Sequence, residues 1–402
     1  VIFQIRGCWI SLEMIFQFNW YLIEMENSSD FLIDLERTIG MDELQSPLAA
    51  AEVAGDAAIA GRFDPSDWLV NRRTVQWTVK YQLQKAIGAG GQGVVYLAHR
   101  LGADGITVPV ALKVFNPNRY RSTARYRDDM ARISRVAARL ALIQQDHLLD
   151  IHNVIDFEEQ RVMVMEWVDG FDLDYLLAPR TLELTRRKVN DEQWRYLNRV
   201  VFSLGPAQGR LMPGIANSIV RECLAALASL HREGIVHADI KPSNIMLKRT
   251  GNTKLIDFGA AFQPREGETG IMVTPRYAAP EVLRGEPPTS SSDLASLGYV
   301  LIEMLSGSPI FVGLNRLPDM LRAKDRIMSH LYEILPAEIV ASESLLDLIR
   351  GLVSPDPRDR FPSADAADLF EHGAASFSRQ LVTGNLSSEY TADLQTWLGV
   401  VE

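Results

Sequence analysis

The segment His237-Ala238-Asp239-Ile240-Lys241-Pro242-Ser243-Asn244, followed a short way on by Ile256-Asp257-Phe258-Gly259, gathers two carboxylates, an amide and a lysine. Asp239, Lys241, Asn244 and Asp257 are the set that transfer of a phosphoryl group from ATP would need. The transition state of that reaction is loose, so a protein mostly positions the reactants and neutralises charge with magnesium. One acid orients the acceptor hydroxyl and other groups hold the metal. No other stretch of the 402 residues is as informative.

A nucleotide needs its own cradle, and two upstream motifs supply one. Ile87-Gly88-Ala89-Gly90-Gly91-Gln92-Gly93-Val94-Val95 has glycines at Gly-x-Gly-x-x-Gly spacing. Glycine lets backbone approach phosphate without a Cβ in the way. The same spacing opens dinucleotide folds, where a helix follows at once, but here Val94-Val95-Tyr96-Leu97 continues as strand. Val110-Ala111-Leu112-Lys113-Val114 then places a lysine in an apolar strand, where it needs an anionic partner or a route to solvent. It could be an edge-strand lysine that blocks aggregation. With the glycine loop upstream, pairing with the nucleotide's phosphates is the stronger reading.

The elements that must position these groups change character along the chain. Strand-like runs span Trp77 to Ile87, Val94 to His99 and Val108 to Phe115, separated by glycine-bearing turns. A helix is expected over about Ala124 to Gln145, with Ile133, Val136, Leu140 and Ile143 on one face and Arg132, Arg135 and Arg139 on another. Strands return at Ile151 to Phe157 and Arg161 to Trp167. Beyond Gly170 helices dominate, with Ile215 to Glu233, Asp293 to Ser306, Ile339 to Val353 and Ala364 to His372 the clearest. The interval 178–212 is polar and arginine-rich and reads as a surface insertion or a docking surface.

In that order, the motifs resemble a eukaryotic-type serine/threonine protein kinase domain over residues 77–375. The resemblance implies an α+β fold: a small antiparallel β-sheet lobe with one large helix (77–166), then a larger, mainly helical lobe (167–375). Residues 1–76 form an extension and 376–402 a tail. It implies that Ile87, Gly88, Ala89, Gly90, Gly91, Gln92, Gly93, Val94 and Val95 cover ATP, that Lys113 holds its phosphates, and that Asp239 is the catalytic base. Lys241, implied as catalytic beside Asp239, marks the subclass: Asp-x-Lys-x-x-Asn resembles serine/threonine kinases, so a Ser or Thr hydroxyl is the implied acceptor. Asn244 and Asp257 are implied as Mg2+ ligands. Glu166 and Val168 would offer backbone hydrogen bonds to adenine, with Val95, Ala111 and Met246 packed on its faces. Glu281 would pair with Arg360, and Asp293 would brace the catalytic loop, with His237 and Phe258 as packing. Alanine-rich composition suggests a bacterial source.

Two positions depart from the family. Ala238 stands where many kinases carry the arginine that reads a loop phosphate, so phosphorylation at Thr269 or Thr274 is not expected to be the main switch. The family's lysine-pairing glutamate maps to Val136, and Met130 to Gln145 contains no acid. Asp129 lies about 10 Å earlier along the helix. A shifted helix bringing in Asp128 or Asp129, a Lys113–Asp257 pair, or a slipped alignment would each account for this. A catalytically weak ATP-binding scaffold is therefore the alternative to an active enzyme, and a small-molecule kinase is a further one.

Composition bounds the partners. A net charge of −10 argues against nucleic acid or an anionic membrane as the principal partner, since both select a basic surface; proteins with Ser/Thr acceptors are the substrates that the resemblance implies. Cys8 and Cys223 are too few and too separated for a disulfide framework, which favours the cytoplasm. Residues 1–24 are apolar, but Arg6 and Glu13 leave Met14 to Ile23 as the longest uncharged run, too short to span a bilayer. No cleavage site of small residues follows it. Membrane contact is thus not expected. A helix packed on the protein, or sequence ahead of a start at Met14, Met25 or Met41, fits better.

Overall fold

A computed structural model of the chain describes residues 3–5, 8–10, 32–33, 79–89, 92–119, 122–157, 160–264, 273–314, 316–383 and 390–401. Two compact units divide it: 1–115 with 156–162, and 116–155 with 163–402.

In the first unit, β1 (Phe3–Ile5) pairs antiparallel with β2 (Cys8–Ile10). Residues 3–5 and 8–10 are therefore paired strands where a packed helix was one expectation, consistent with their aromatic and β-branched content. The run Met14 to Ile23 lies outside the described residues. From within the extension, β3 (Leu32–Ile33) pairs with β4 (Lys80–Ala89). Then β4, β5 (Gly93–Leu101) and β6 (Thr107–Phe115) run antiparallel, with Val95 opposite Lys113 and Ala98 opposite Val110. The strand order is completed by β7 (Ile151–Phe157) and β8 (Gln160–Glu166) as β3-β4-β5-β6-β8-β7. Strand β6 is interior, and Val110 to Lys113 and Phe115 are all buried. Lys113 is accordingly not an edge-strand charge.

The second unit begins with α1 (Thr123–Leu140), capped by Ser122, whose Oγ accepts from the Arg125 amide at 3.1 Å. Tyr126, Met130, Ile133, Val136, Ala137 and Leu140 are its buried stripe. It stops short of the expected Gln145: the last bonds tighten to Leu142 N–Arg139 O and Ile143 N–Leu140 O, and Leu142 is exposed. After β8 come β9 (Gly170–Asp172) and α2 (Leu173–Leu177). The interval 178–212 folds into α3 (Pro179–Lys188), α4 (Asp191–Val200) and the hairpin of β10 (Phe202–Leu204) with β11 (Gly209–Leu211).

Two long helices make the core of this unit. Alanine and leucine at helical spacing bury most of α5 (Pro213–Arg232). Helix α7 (Ser290–Ser306), preceded by the short α6 (Pro280–Leu283), is buried from Ser292 to Ser306. It starts three residues before the expected Asp293 because Thr289 and Ser292 form a reciprocal cap, and it ends on Gly307 at φ 68°. Between α5 and α7, β12 (Ile245–Lys248) pairs with β13 (Thr253–Leu255) and with β9. Helices α8 (Leu317–Asp325), α9 (Ile327–Ile334), α10 (Ala337–Val340), α11 (Glu343–Val353), α12 (Ala364–Leu369), α13 (Ala374–Thr383) and α14 (Tyr390–Leu398) complete the unit. The single helix expected over 339–353 is broken at Ala341 and Ser342. Insertion and tail interlock: Trp397 is fully buried with its ring 4.9 Å from Phe202, and Tyr196 donates to the Asp393 carboxylate. Among the described residues no helix is long and apolar enough to cross a membrane.

Candidate active site

Each unit carries its own candidate residues. In the first, Ile87, Gly88 and Ala89 end β4, while Gln92 leads into Gly93, Val94 and Val95 at the start of β5. Gly90 and Gly91 lie outside the described residues. The glycines answer different demands. A Cβ on Gly93 would sit 1.9 Å from the Val114 carbonyl oxygen, so that glycine permits the close approach of β5 and β6, whereas a Cβ on Gly88 would meet nothing within 4 Å. The Lys113 ammonium is buried, and it donates to the Gln92 side-chain oxygen at 3.1 Å. Val95 is half-buried opposite it, with Ala111 buried further along β6.

In the second unit the segment 237–244 is stretched over a buried carboxylate. Asp293, near the start of α7, accepts the amides of His237 and Ala238 at 2.9 Å each and faces His231 Nε2 at 2.9 Å. Ala238 has φ 64°, a left-handed conformation that an L-residue with a side chain adopts at a cost. The two bonds to Asp293 hold it there. His237 accepts the Asp239 amide on Nδ1 at 3.3 Å, which leaves Nε2 to donate to the Ile256 carbonyl at 3.3 Å. Its ring lies 5.2 Å from that of Phe258, and both are buried as packing groups.

Asp239 is thereby aimed and then fixed from three sides. Its Oδ2 accepts from Lys241 Nζ at 2.7 Å and from Asn244 Nδ2 at 3.1 Å, and its Oδ1 accepts from the Thr274 hydroxyl at 2.6 Å. Thr274 Oγ1 also accepts from Lys241 Nζ at 3.1 Å. Thr274, considered from sequence as a phosphorylation site, is thus engaged with the carboxylate. Thr269 lies outside the described residues. Asn244 commits its amide nitrogen to Asp239, including the main-chain carbonyl at 2.8 Å, which turns its side-chain oxygen away. Asp257 has φ 61° and its Oδ1 accepts the Gly259 amide at 3.1 Å. An amide oxygen and a carboxylate are hard donors of the kind Mg2+ takes alongside phosphate oxygens, so the residues fit that ion.

The surroundings are braced by buried pairs. Arg360 grips Glu281 with two bonds, at 2.7 and 2.8 Å, as expected from the motifs. Glu166 takes the Asp150 amide at 2.8 Å and pairs with the buried Lys254 ammonium, which also donates to the Leu148 carbonyl at 2.9 Å. Val168 is buried just beyond β8, and Met246 is half-buried on β12. Asp129 is engaged within α1 by Arg125 at 3.6 Å and Arg132 at 3.9 Å.

Sequence reasoning missed two supports of the segment after Thr274. Tyr277 donates to Glu303 at 2.8 Å, and burial pushes the Glu303 carboxyl above its ordinary range. Lys324, fully buried, donates to the Arg276 carbonyl at 2.7 Å and lies 4.0 Å over the Tyr299 ring and 4.3 Å over that of Phe311. Burial holds its ammonium well below the usual lysine range. Lys324 falls in an ordinary amphipathic stretch, and nothing local distinguishes it from a solvated lysine.

A small antiparallel sheet followed by a mainly helical unit, with a braced Asp-x-Lys-x-x-Asn segment, is the arrangement of a protein kinase. The protein kinase domain family matches residues 81–372, and the chain belongs to that family. It is 30% identical over 310 residues to serine/threonine-protein kinase PknD of Mycobacterium tuberculosis, covering 75% of this chain and 40% of that protein. With the probable serine/threonine-protein kinase pknA2 of Bifidobacterium longum it shares 30% over 270 residues, 64% of this chain and 30% of the relative. Serine/threonine-protein kinase PknH of Mycobacterium bovis is 28% identical over 304 residues, 74% and 44%. The matched region thus spans less than half the length of these relatives.

Proposed function

We propose that this chain transfers the γ-phosphate of ATP to Ser or Thr hydroxyls of protein substrates in the cytoplasm. The observation that carries the reading is the Asp239 carboxylate held by Lys241, Asn244 and Thr274. A carboxylate fixed in this way can orient an incoming hydroxyl and take its proton as the new O–P bond forms and the bond from the γ-phosphorus to the β–γ bridging oxygen breaks, releasing ADP. Lys241 keeps a positive charge beside the acid and the arriving phosphoryl group. Lys113 and the glycine loop hold the nucleotide's phosphates, and Asn244 and Asp257 hold Mg2+. When bound, that ion offsets the negative charge of the phosphate oxygens. Glu166 and Val168 present backbone groups to adenine, with Val95, Ala111 and Met246 on its faces.

A second reading, an ATP-binding scaffold with weak turnover, is favoured by the buried Val136 at the acid position of α1. Transfer of radiolabelled γ-phosphate to protein acceptors decides between them. Asp239→Asn should lose activity by about 10²–10⁴-fold, the range for a positioned acid–base group. Equal incorporation by both proteins would refute the kinase reading. Magnesium-dependent ATP binding without incorporation by the wild type would establish the scaffold.

A further inference from the structure

On the face of α1 that carries Arg132, Arg135 and Arg139, one arginine reaches inward. Arg132 Nη1 donates to the Ala261 carbonyl at 2.6 Å and Nη2 to the Gly259 carbonyl at 2.8 Å. Its side chain is only 16% exposed, with the Asp129 carboxylate beside it, itself flanked by Arg125. Gly259 is the residue whose amide donates to Asp257 Oδ1, across a backbone that holds Asp257 at φ 61°. On its far side the same segment is pinned to the residue just ahead of His237, because Phe262 and Val236 exchange both backbone bonds, at 2.9 and 3.0 Å, as an isolated bridge. Arg132 therefore closes the near side of a segment whose far side is already fixed.

We propose that Arg132 is a positioning residue for Asp257, a latch that fixes the start of the activation segment to α1 without a phosphate. The inference rests on the kinase reading for the role of Asp257, though not for the latch itself. Three features converge on it. Ala238 cannot receive a loop phosphate. Val136, one turn beyond Arg132, is apolar and buried, so α1 offers no carboxylate at the position where the family places one. A guanidinium that donates in parallel to two main-chain carbonyls is a fixed fork, and charged donors make the stronger hydrogen bonds. It also relies on no side chain of the segment it holds. Asp129 keeps the fork in place as its counter-charge.

The test compares wild type with Arg132→Met and Arg132→Lys after phosphatase treatment. Hydrogen exchange of the nucleotide-free proteins is the first readout: Arg132→Met should speed exchange of the amides from Asp257 to Phe262 by about tenfold or more, while amides of α7 stay as protected as before. The second is a kinetic split. Arg132→Met should lower kcat by roughly tenfold and raise the magnesium concentration for half-maximal rate, leaving the KM for the acceptor peptide unchanged. Lysine, with a single ammonium, should restore part of both. Unchanged exchange over 257–262 in Arg132→Met would overturn the latch, as would loss of wild-type activity on phosphatase treatment. Exchange that rises equally in α7 would reduce Arg132 to a general stabiliser and overturn it too. A wild type that transfers no phosphate at all refutes the kinase reading instead, and the exchange result still decides the latch.

Discussion

The segment 237–244 and the face of α1 from Asp129 to Val136 meet the same demand, fixing a charged group of the proposed active site, by opposite means. In the loop a buried acid, Asp293, collects two backbone amides and holds Ala238 in an unfavourable conformation so that Asp239 can be aimed. On α1 a cation, Arg132, collects two backbone carbonyls. The first follows the family's pattern and the second does not. The difference shows that main-chain atoms can serve as the anchoring partners when the usual side chain is missing, provided the donor or acceptor is charged and sheltered.

The comparison can be strained at three points, taken from the largest expected effect to the smallest. Asp293→Asn puts a donor where two amides need acceptors, so it should destabilise the protein by about 3–5 kcal/mol, read by chemical denaturation, and abolish transfer activity. A stable, active variant would mean that the loop holds itself. Val136→Glu restores the family's acid at a position only 3% exposed. Burying a carboxylate there should cost about 1–3 kcal/mol without raising kcat. A gain in kcat would show that α1 retains the usual arrangement in latent form. Ala238→Gly should stabilise by at most about 1 kcal/mol, since relief of the left-handed strain slightly exceeds the added chain entropy. A loss of stability measured by calorimetry would indicate that the Ala238 methyl packs usefully.

How far the sequence foretold this depends on the distance between partners. The segments 237–244 and 256–259 carry their chemistry at fixed short spacing, and the strands around Lys113 showed as apolar runs bounded by glycine, so both could be read directly. Thr274 joins Asp239 across 35 residues, and no local pattern marks a threonine as the partner of a particular acid. Arg132 lies on the polar side of an amphipathic helix, where arginine ordinarily faces solvent; only the path of the activation segment shows that its head is sheltered. The break between α10 and α11 was invisible because apolar spacing persists across it. The insertion's helices were passed over since their composition is polar, although α4 begins with a reciprocal Asn190–Gln193 cap that gave a usable local signal.

The interlock of insertion and tail has a consequence in time. Thr185 and Trp397 meet across 212 residues, and the ring of Trp397 covers Phe202. At a synthesis rate of about 5–20 residues per second, the interval 178–212 leaves the ribosome roughly 10–40 s before the helix that covers its apolar face exists. During that window Phe202 and its neighbours lack their final partner, and a nascent chain stalled before residue 390 should be a better client for holdase chaperones than one stalled after residue 401. Closure of α14 over the insertion, rather than completion of the motifs around Asp239 and Asp257, would then be the step that ends the exposure of Phe202.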